Sequence, residues 1–461
     1  MRLSVVTAAF LIAGGIGCSS TSHPGSSGTT STGGGDNGNG GGGSGGTTGG
    51  GGSGGVDMGG GGGSGGVDLG GGGGSGGAGG GDMGNPIGPG PWPVTDLTIY
   101  GSAQGLSGSI LDANPDEGQN IWAANGTTLY VLRPGSTTFQ PFTAADGLHI
   151  EPFTDPYGQS NLTRITAIAG GHANEVMVGY YGYETLGNPY LDSDAQKALG
   201  NGDHVTVGSD GKLSITRYGF RCDFEGANGC WENRSPRRIV YAHSGVVAGR
   251  SFWGFNHGVT HVYNDVFGDH VHPEIWYHNA DGSVTEKLGE FYGVAVTPTG
   301  DLWVAGRYGV GLQPFNPISH QAWVQGHFIY AFTTNTSDHS LDVPTGYHED
   351  NRGAAVTSDG VLWLARLGGG LVSWDRSTNS YNTVRTWSQV PSDLMDVQAD
   401  PDDTLWLVTS GGALLRFDPV SGSVQTWPGV SGVTRIYVDS TVTPRAVYAS
   451  MSSGVAVIRA K

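Results

Sequence analysis

Residues 359–375 read DGVLWLARLGGGLVSWD, and residues 402–418 read DDTLWLVTSGGALLRFD. Each copy opens on an acidic turn, runs through an apolar stretch centred on a tryptophan, breaks at glycines and resumes as a second apolar stretch. Trp363 and Trp406 stand 43 positions apart, the length of one four-stranded propeller blade. The phrase recurs outward in both directions. It appears as GDLWVAGRYGVGLQPF (300–315), GRSFWGFNHGVTHVY (249–263), GQNIWAANGTTLYVL (118–132) and RAVYASMSSGVAVIR (445–459), with a divergent copy ANEVMVGYYGY at 173–183. The anchors are Trp122, Met177, Trp253, Trp303, Trp363, Trp406 and Tyr448, which gives seven copies. The divergence of the second leaves six or eight as alternative counts.

Each copy has the makings of a small antiparallel sheet. Turns such as TSDG (357–360), PTGD (298–301) and PDD (401–403) carry the Gly and Asp that tight turns require. Helical periodicity is essentially absent, which excludes an α/β fold. One such sheet cannot cover both of its faces, so copies must stack radially. The last copy stops after its third strand, while LTIYGSAQGL (97–106) resembles the outer strand and exit loop of another copy, FQPFTAADGL (139–148). The predicted fold is therefore an all-β, seven-bladed propeller in which Leu97–Tyr100 completes the seventh blade and removes the free sheet edges.

Before the repeats the chain is of another kind. It has 86 glycines, and 41 of them crowd into the stretch before residue 92. Such a stretch cannot repay its ordering entropy, so residues 18–91 are expected to be a flexible tether with a mean span of about 45–50 Å. Ahead of it stand Arg2, an apolar run from Leu3 to Ile16, and Cys18. The run is too short to span a bilayer as a mature helix. It resembles a bacterial lipoprotein signal peptide, although Gly15 stands where that family usually has Leu. The resemblance implies cleavage after residue 17, lipidation of Cys18 and, from Ser19, the outer membrane as destination. An ordinary secretory signal cut nearby is the alternative. The expected organisation is signal peptide 1–17, lipidated linker 18–91 and propeller 92–461, in the cell envelope.

The repeats resemble those of the two-component-regulator propeller family, found in the sensor regions of bacterial hybrid histidine kinases. That resemblance covers most of residues 97–461 and implies a fold, not a ligand. No later apolar run is long enough for a membrane span, and no kinase region follows.

The formal net charge of −18 excludes nucleic acid as a partner. Cys222 and Cys230 in CDFEGANGC are expected to form a disulfide in an oxidising compartment, with free thiols or half a metal site as alternatives. Insertions are expected after the second strand of copies two (183–204) and three (256–273), in the loop around the two cysteines, and at 335–353. All four connections should open onto one face, which is taken as functional. Candidate ligand residues there are Tyr180, Tyr181, Arg238, His257, Arg307, Tyr308, Arg352 and Arg366, with Arg164 and Arg435 nearby. Guanidiniums in this pattern suit an anionic group such as a uronate, and the tyrosines suit a sugar ring. No cofactor is expected. His261, His270 and His272 are the candidates for Zn²⁺ or Ca²⁺ should one be held, although structural histidines are the plainer reading. Asp116–Glu117 and Asp402–Asp403 read as turn formers on the opposite face. The leading expectation is a monomeric, non-enzymatic binding protein for an anionic polysaccharide or envelope protein. The alternative is a propeller-type polysaccharide lyase using His257, Arg307 and Tyr308; no nucleophile elbow, phosphate loop or HExxH motif is present.

Overall fold

The computed structural model describes residues 96–460 apart from 155–159, 182–201, 219–235, 256–258, 272–273, 279–283, 287–290, 307–309, 314–329, 332–339, 345–349 and 376–384. Seven four-stranded antiparallel sheets form the ring. Blade 1 runs from the inner strand Asp112–Pro115 to the outer strand Gln140–Phe142, blade 2 from Arg164–Gly170 to Leu213–Tyr218, and blade 3 from Arg238–Tyr241 to Val266–Val271. Blade 4 runs from Phe291–Val296 to Tyr330–Ala331, blade 5 from Asn351–Val356 to Arg385–Trp387, and blade 6 from Leu394–Ala399 to Val424–Thr426. Blade 7 combines Val433–Asp439, Ala446–Met451 and Gly454–Arg459 with the N-terminal strand Asp96–Tyr100. The ring therefore closes as the sequence predicts, with Leu97 opposite Ile458 and Tyr100 opposite Val455.

The core is divided among the blade interfaces. Seven apolar clusters each join one blade to the next, from blades 1 and 2 round to blades 7 and 1. Six of the seven anchors, Trp122, Met177, Trp303, Trp363, Trp406 and Tyr448, project toward the following blade. Blade 3 differs. Phe252 faces blade 4 while Trp253 faces back into blade 2, because adjacent strand residues point to opposite sides of a sheet. The equivalent anchor there is Phe252, and Trp253 is offset by one.

The registers sort the connections into two faces. In blade 7, Asp439 lies opposite Ala446, which lies opposite Arg459, which lies opposite Asp96. That end of the ring carries the first-to-second and third-to-fourth strand turns and is here termed the turn face. The other end carries the second-to-third turns and the blade-to-blade connections and is termed the loop face. Residues 259–271 are not an insertion, as the sequence suggests, but the third and fourth strands of blade 3 joined by a turn at Asn264–Asp265. In their place the loop face carries a hairpin, Pro152–Thr154 with Ser160–Leu162, and a small sheet in which Glu274–His278 pairs with Val284–Glu286 and, in parallel, with Ser340–Pro344. That small sheet ties the blade 3–4 connection to the blade 4–5 connection. Of the insertion expected at 183–204, Gly202–His204 begin the third strand of blade 2, while residues 183–201 and the loop bearing Cys222 and Cys230 lie outside the described residues.

Closure leaves little room at Gly454. Its φ is +150°, and a Cβ there would lie 1.9 Å from the Tyr100 carbonyl oxygen. Gly454→Ala is expected to cost at least about 2 kcal/mol in urea unfolding, combining strain with overpacking. Gly360→Ala, where a Cβ meets open space and only the positive φ of +84° is penalised, should cost about 1 kcal/mol.

Candidate functional site

The centre of the ring is crossed by ion pairs. Arg238, which opens the inner strand of blade 3, meets Asp396 of blade 6 at 2.9 Å, and both side chains are buried. Arg435 of blade 7 bonds Asp112 of blade 1 at 2.7 Å and reaches across to the Arg237 carbonyl of blade 3 at 2.8 Å. The two aspartates also accept backbone N–H bonds from the neighbouring blades, Asp396 from Ile436 and Asp112 from Ile168. A buried ion pair holds when its remaining hydrogen-bonding capacity is filled, and these bonds fill it. Arg238 and Asp112 begin their strands, so the crossing lies toward the loop-face end of the channel.

At that mouth, arginines lie against aromatic rings. Arg164 sits 4.6 Å from the Tyr181 ring centre, Arg352 sits 4.5 Å from that of Tyr292, and Arg237 sits 5.7 Å from that of Tyr292. Arg352 also pairs with Asp350 at 2.8 Å. Tyr292 escapes the sequence reading; its signal is its place at a bulge, between Phe291 and Gly293, in an inner strand. Arg366 ends the second strand of blade 5 at this same face. Arg238, by contrast, is committed to Asp396 below the mouth. Tyr180 is no stacking platform: it is fully buried, and its hydroxyl donates to Asp203 at 2.8 Å. His257, Arg307, Tyr308 and His272 lie outside the described residues. His261 and His270 lie on adjacent strands, where Thr260 is opposite His270 and the register shifts at His261. His261 stands beside Phe252, with ring centres 6.3 Å apart. Among the described residues no group of three or more His, Cys, Asp or Glu side chains is placed to hold a metal ion.

Beneath the loop face of blade 2 lies a buried polar cluster. His149 Nδ1 is 3.2 Å from Asp203 Oδ1, and Tyr180 holds the other carboxylate oxygen. Burial pushes the Asp203 carboxyl up to about 7. It pulls the His149 imidazole down to about 4, aided by Arg217. Both effects favour an uncharged pair.

The turn face is stitched by aspartates. Asp116 accepts from the Trp122 indole N–H at 3.0 Å, from both N–H groups of Asn120, and from the Asn174 backbone of blade 2 at 2.8 Å. Asp400 accepts from Trp406 at 2.9 Å, and Asp403 holds Ser358 of blade 5 through two 2.6 Å bonds. Asp116, Asp402 and Asp403 thus act as turn residues, as their setting in the sequence implies. Over blades 1–3 a row of alternating acids and histidines follows. Glu117 bonds His172 at 2.9 Å, Glu175 bonds the His172 backbone and the His204 ring, and His204 also meets Asp265 at 2.8 Å. Burial opposes charge on His204, but Glu175 and Asp265 outweigh it and raise its pKa. Over blades 4–7 the turns surround a cavity of about 810 Å³.

No protein-family model matches the chain, and no curated protein matches it in sequence. Similarity appears among solved structures. YCF48 bound to a D1 peptide aligns over 80% of this chain and 95% of that one, at 14% identity and a TM-score of 0.45. Virginiamycin B lyase from Staphylococcus aureus aligns over 79% and 99%, at 9% identity and 0.43. The extracellular domain of a putative one-component system from B. thetaiotaomicron aligns at 11% identity and 0.43, over 80% of this chain and 40% of that one.

Two outcomes follow from these contacts. Asp396→Ala strands a buried guanidinium and the Ile436 N–H, and should cost about 3–5 kcal/mol in a denaturant titration. Asp203 has a raised pKa, so its burial penalty grows as pH rises from about 4 to 7 and is absent at lower pH. His149, with its lowered pKa, works in the opposite direction as pH rises from about 4 to 6.5, so Asp203→Asn, which keeps an acceptor for Tyr180, should make the change of Tm from pH 5 to pH 7 more positive than in the wild type; an unchanged slope would remove Asp203 from the account.

Proposed function

We propose that this protein is an exported lipoprotein, anchored through Cys18, whose propeller is of the two-component-regulator type and binds an anionic glycan at its loop face. One observation carries the reading. Among the described residues, every strand beyond the seven blades lies in a connection that opens onto the loop face. Function concentrates where loops are elaborated on a rigid scaffold. The chemistry of the mouth agrees with an anionic, ring-shaped ligand, since the Arg164 and Arg352 guanidiniums stand over the Tyr181 and Tyr292 rings. Such pairs present a guanidinium fork beside an aromatic surface. The tether, with no Lys or Arg from residue 19 to 95, gives reach without adding a competing cation.

Two measurements test this. Metabolic labelling with a clickable palmitate should mark the wild type and leave Cys18→Ser unlabelled. Uronic-acid oligosaccharides should bind the propeller, and Arg164→Ala should weaken them about tenfold, a loss of about 1.4 kcal/mol. Binding of an envelope protein without any glycan would redirect the assignment. Release of an unsaturated sugar product would place an enzyme at this mouth instead.

A further inference from the structure

The inner strands carry an irregularity that repeats around the mouth of the channel. In blades 2, 4, 5, 6 and 7 the pairing of the inner strand with the second slips by one residue at its loop-face end. The extra residues are Thr166, Tyr292, Arg352, Met395 and Thr434. A bulge of this kind re-aims one side chain out of the ladder, and each blade uses it differently. Thr166 and Thr434 return their hydroxyls to carbonyls, at 3.2 Å from Gly179 and 3.0 Å from Ile110. Met395 packs onto the core shared by blades 6 and 7. Tyr292 and Arg352, from neighbouring blades, meet each other instead, with the guanidinium 4.5 Å from the ring centre.

Arg352 is only partly engaged. Its Nη2 holds both oxygens of Asp350, at 2.8 Å and 3.0 Å, so one nitrogen carries the whole ion pair. Its Nε is buried and has no hydrogen-bond partner among the described residues. Nε and Nη2 form the side-on edge of a guanidinium, the edge that binds a carboxylate through two parallel N–H bonds. Asp350 takes one end of that edge and leaves the other unmade. A buried donor without an acceptor costs free energy, so a carboxylate that spans both nitrogens improves on the internal one. The backbone agrees. Asp350 has a φ of +50°, a left-handed conformation that Asp and Asn tolerate and that clusters at ligand clamps. Its carbonyl is fixed separately by the Leu367 N–H at 3.1 Å, so the carboxylate can turn away while the backbone stays.

We propose that Arg352, backed by Tyr292, is the carboxylate subsite of the loop face, and that Asp350 stands in for the ligand's carboxylate until the ligand displaces it. This subsite presupposes the loop face as the place where an anionic glycan binds. It selects a carboxylate carried on a sugar ring, gripped side-on by Nε and Nη2, because a carboxylate already fits against the same guanidinium.

The test titrates the full-length chain carrying Cys18→Ser with a uronic-acid trisaccharide by calorimetry. Asp350→Asn keeps a residue that accepts the left-handed backbone and should tighten binding about threefold or more, because the ligand no longer competes with an internal acid. Asp393→Asn removes the same charge from the equivalent, exposed position before the inner strand of blade 6, and should change affinity by less than about 1.5-fold. Arg352→Gln should weaken binding about tenfold, and in that background Asp350→Asn should have no further effect. Equal tightening in the two Asp→Asn variants would show long-range charge alone and overturn the stand-in. Unchanged affinity in Asp350→Asn, or its full effect in the Arg352→Gln background, would overturn it too, and each of these outcomes leaves the glycan site in place. A second readout needs no glycan. Phenylglyoxal modification of Arg352, followed by mass mapping, should run about threefold faster in Asp350→Asn, and citrate should slow it there more than in the parent chain. Absence of trisaccharide binding in every form would remove the glycan as ligand; the stand-in then holds if citrate protects Arg352 in this way and falls if it does not.

Discussion

The structure depends on one constraint: a four-stranded blade has two apolar faces and nothing of its own to cover either. Every core cluster is therefore shared by two blades, and none is complete until the ring is. Burying apolar area is the dominant favourable term in folding, but here that term cannot be collected blade by blade. It requires the strand at Asp96–Tyr100 to return, more than 350 positions later, to the strand at Gly454–Arg459. Closure is thus a condition of stability, and the tight approach at Gly454 is its local consequence.

The same constraint explains why the two faces differ. On the turn face the anchors are fastened to the turns: Trp122 to Asp116, Trp406 to Asp400, and Trp363 to Thr357 at 3.0 Å. Each donor–acceptor pair is six residues apart, so the turn length is fixed by the reach of the indole. Lengthening such a turn would leave a buried indole N–H unsatisfied, which costs about 1–3 kcal/mol. Blade 7, anchored by Tyr448, has a longer turn and lacks that indole. Among the described residues the loop face has no comparable indole fastening, and there the chain accommodates a hairpin and a small sheet between blades.

Much of this was legible in the sequence, because period and alternation are local properties. The Trp phrase revealed the blades, the missing outer strand revealed the closure, and unequal spacing revealed the elaborated face. The errors arose where local information is ambiguous. At Phe252–Trp253 two large aromatics are adjacent, and only the neighbouring blades decide which faces forward. The stretch after Gly258 resembled an insertion because its histidines and aspartates disguise two strands. Tyr180 looked available beside Tyr181, yet alternation sends one ring inward to Asp203 and the other outward to Arg164. Asp112 and Asp396 were passed over, although a lone carboxylate in an inner strand is itself a signal. Their partners, 323 and 158 positions away, are beyond any spacing argument.

Charge is segregated along the ring axis in a way that composition conceals. A net charge of −18 suggests a uniformly acidic surface, yet the inner strands bring arginines to the loop-face end, beside Asp112, Asp350 and Asp396, while the turns at the other end are rich in aspartates, some of them paired with Arg416 and Arg445. The inner strands produce the first, since each enters from the loop face and Arg164, Arg238, Arg352 and Arg435 lie within three residues of its start. The turns produce the second, since tight turns and indole fastening both select Asp. The aspartates therefore have a structural origin, and a turn face built only for folding would match each with a nearby donor. Asp116, Asp402 and Asp439 follow that rule through Asn120, Arg416 and Gln119. Around blades 4–7 Asp359 and Asp403 follow it too, accepting from Thr357 and from Ser358, while Arg416 and Arg445 serve Asp400 and Asp402. The acidity of the turn face is therefore what its turn and indole fastenings leave behind.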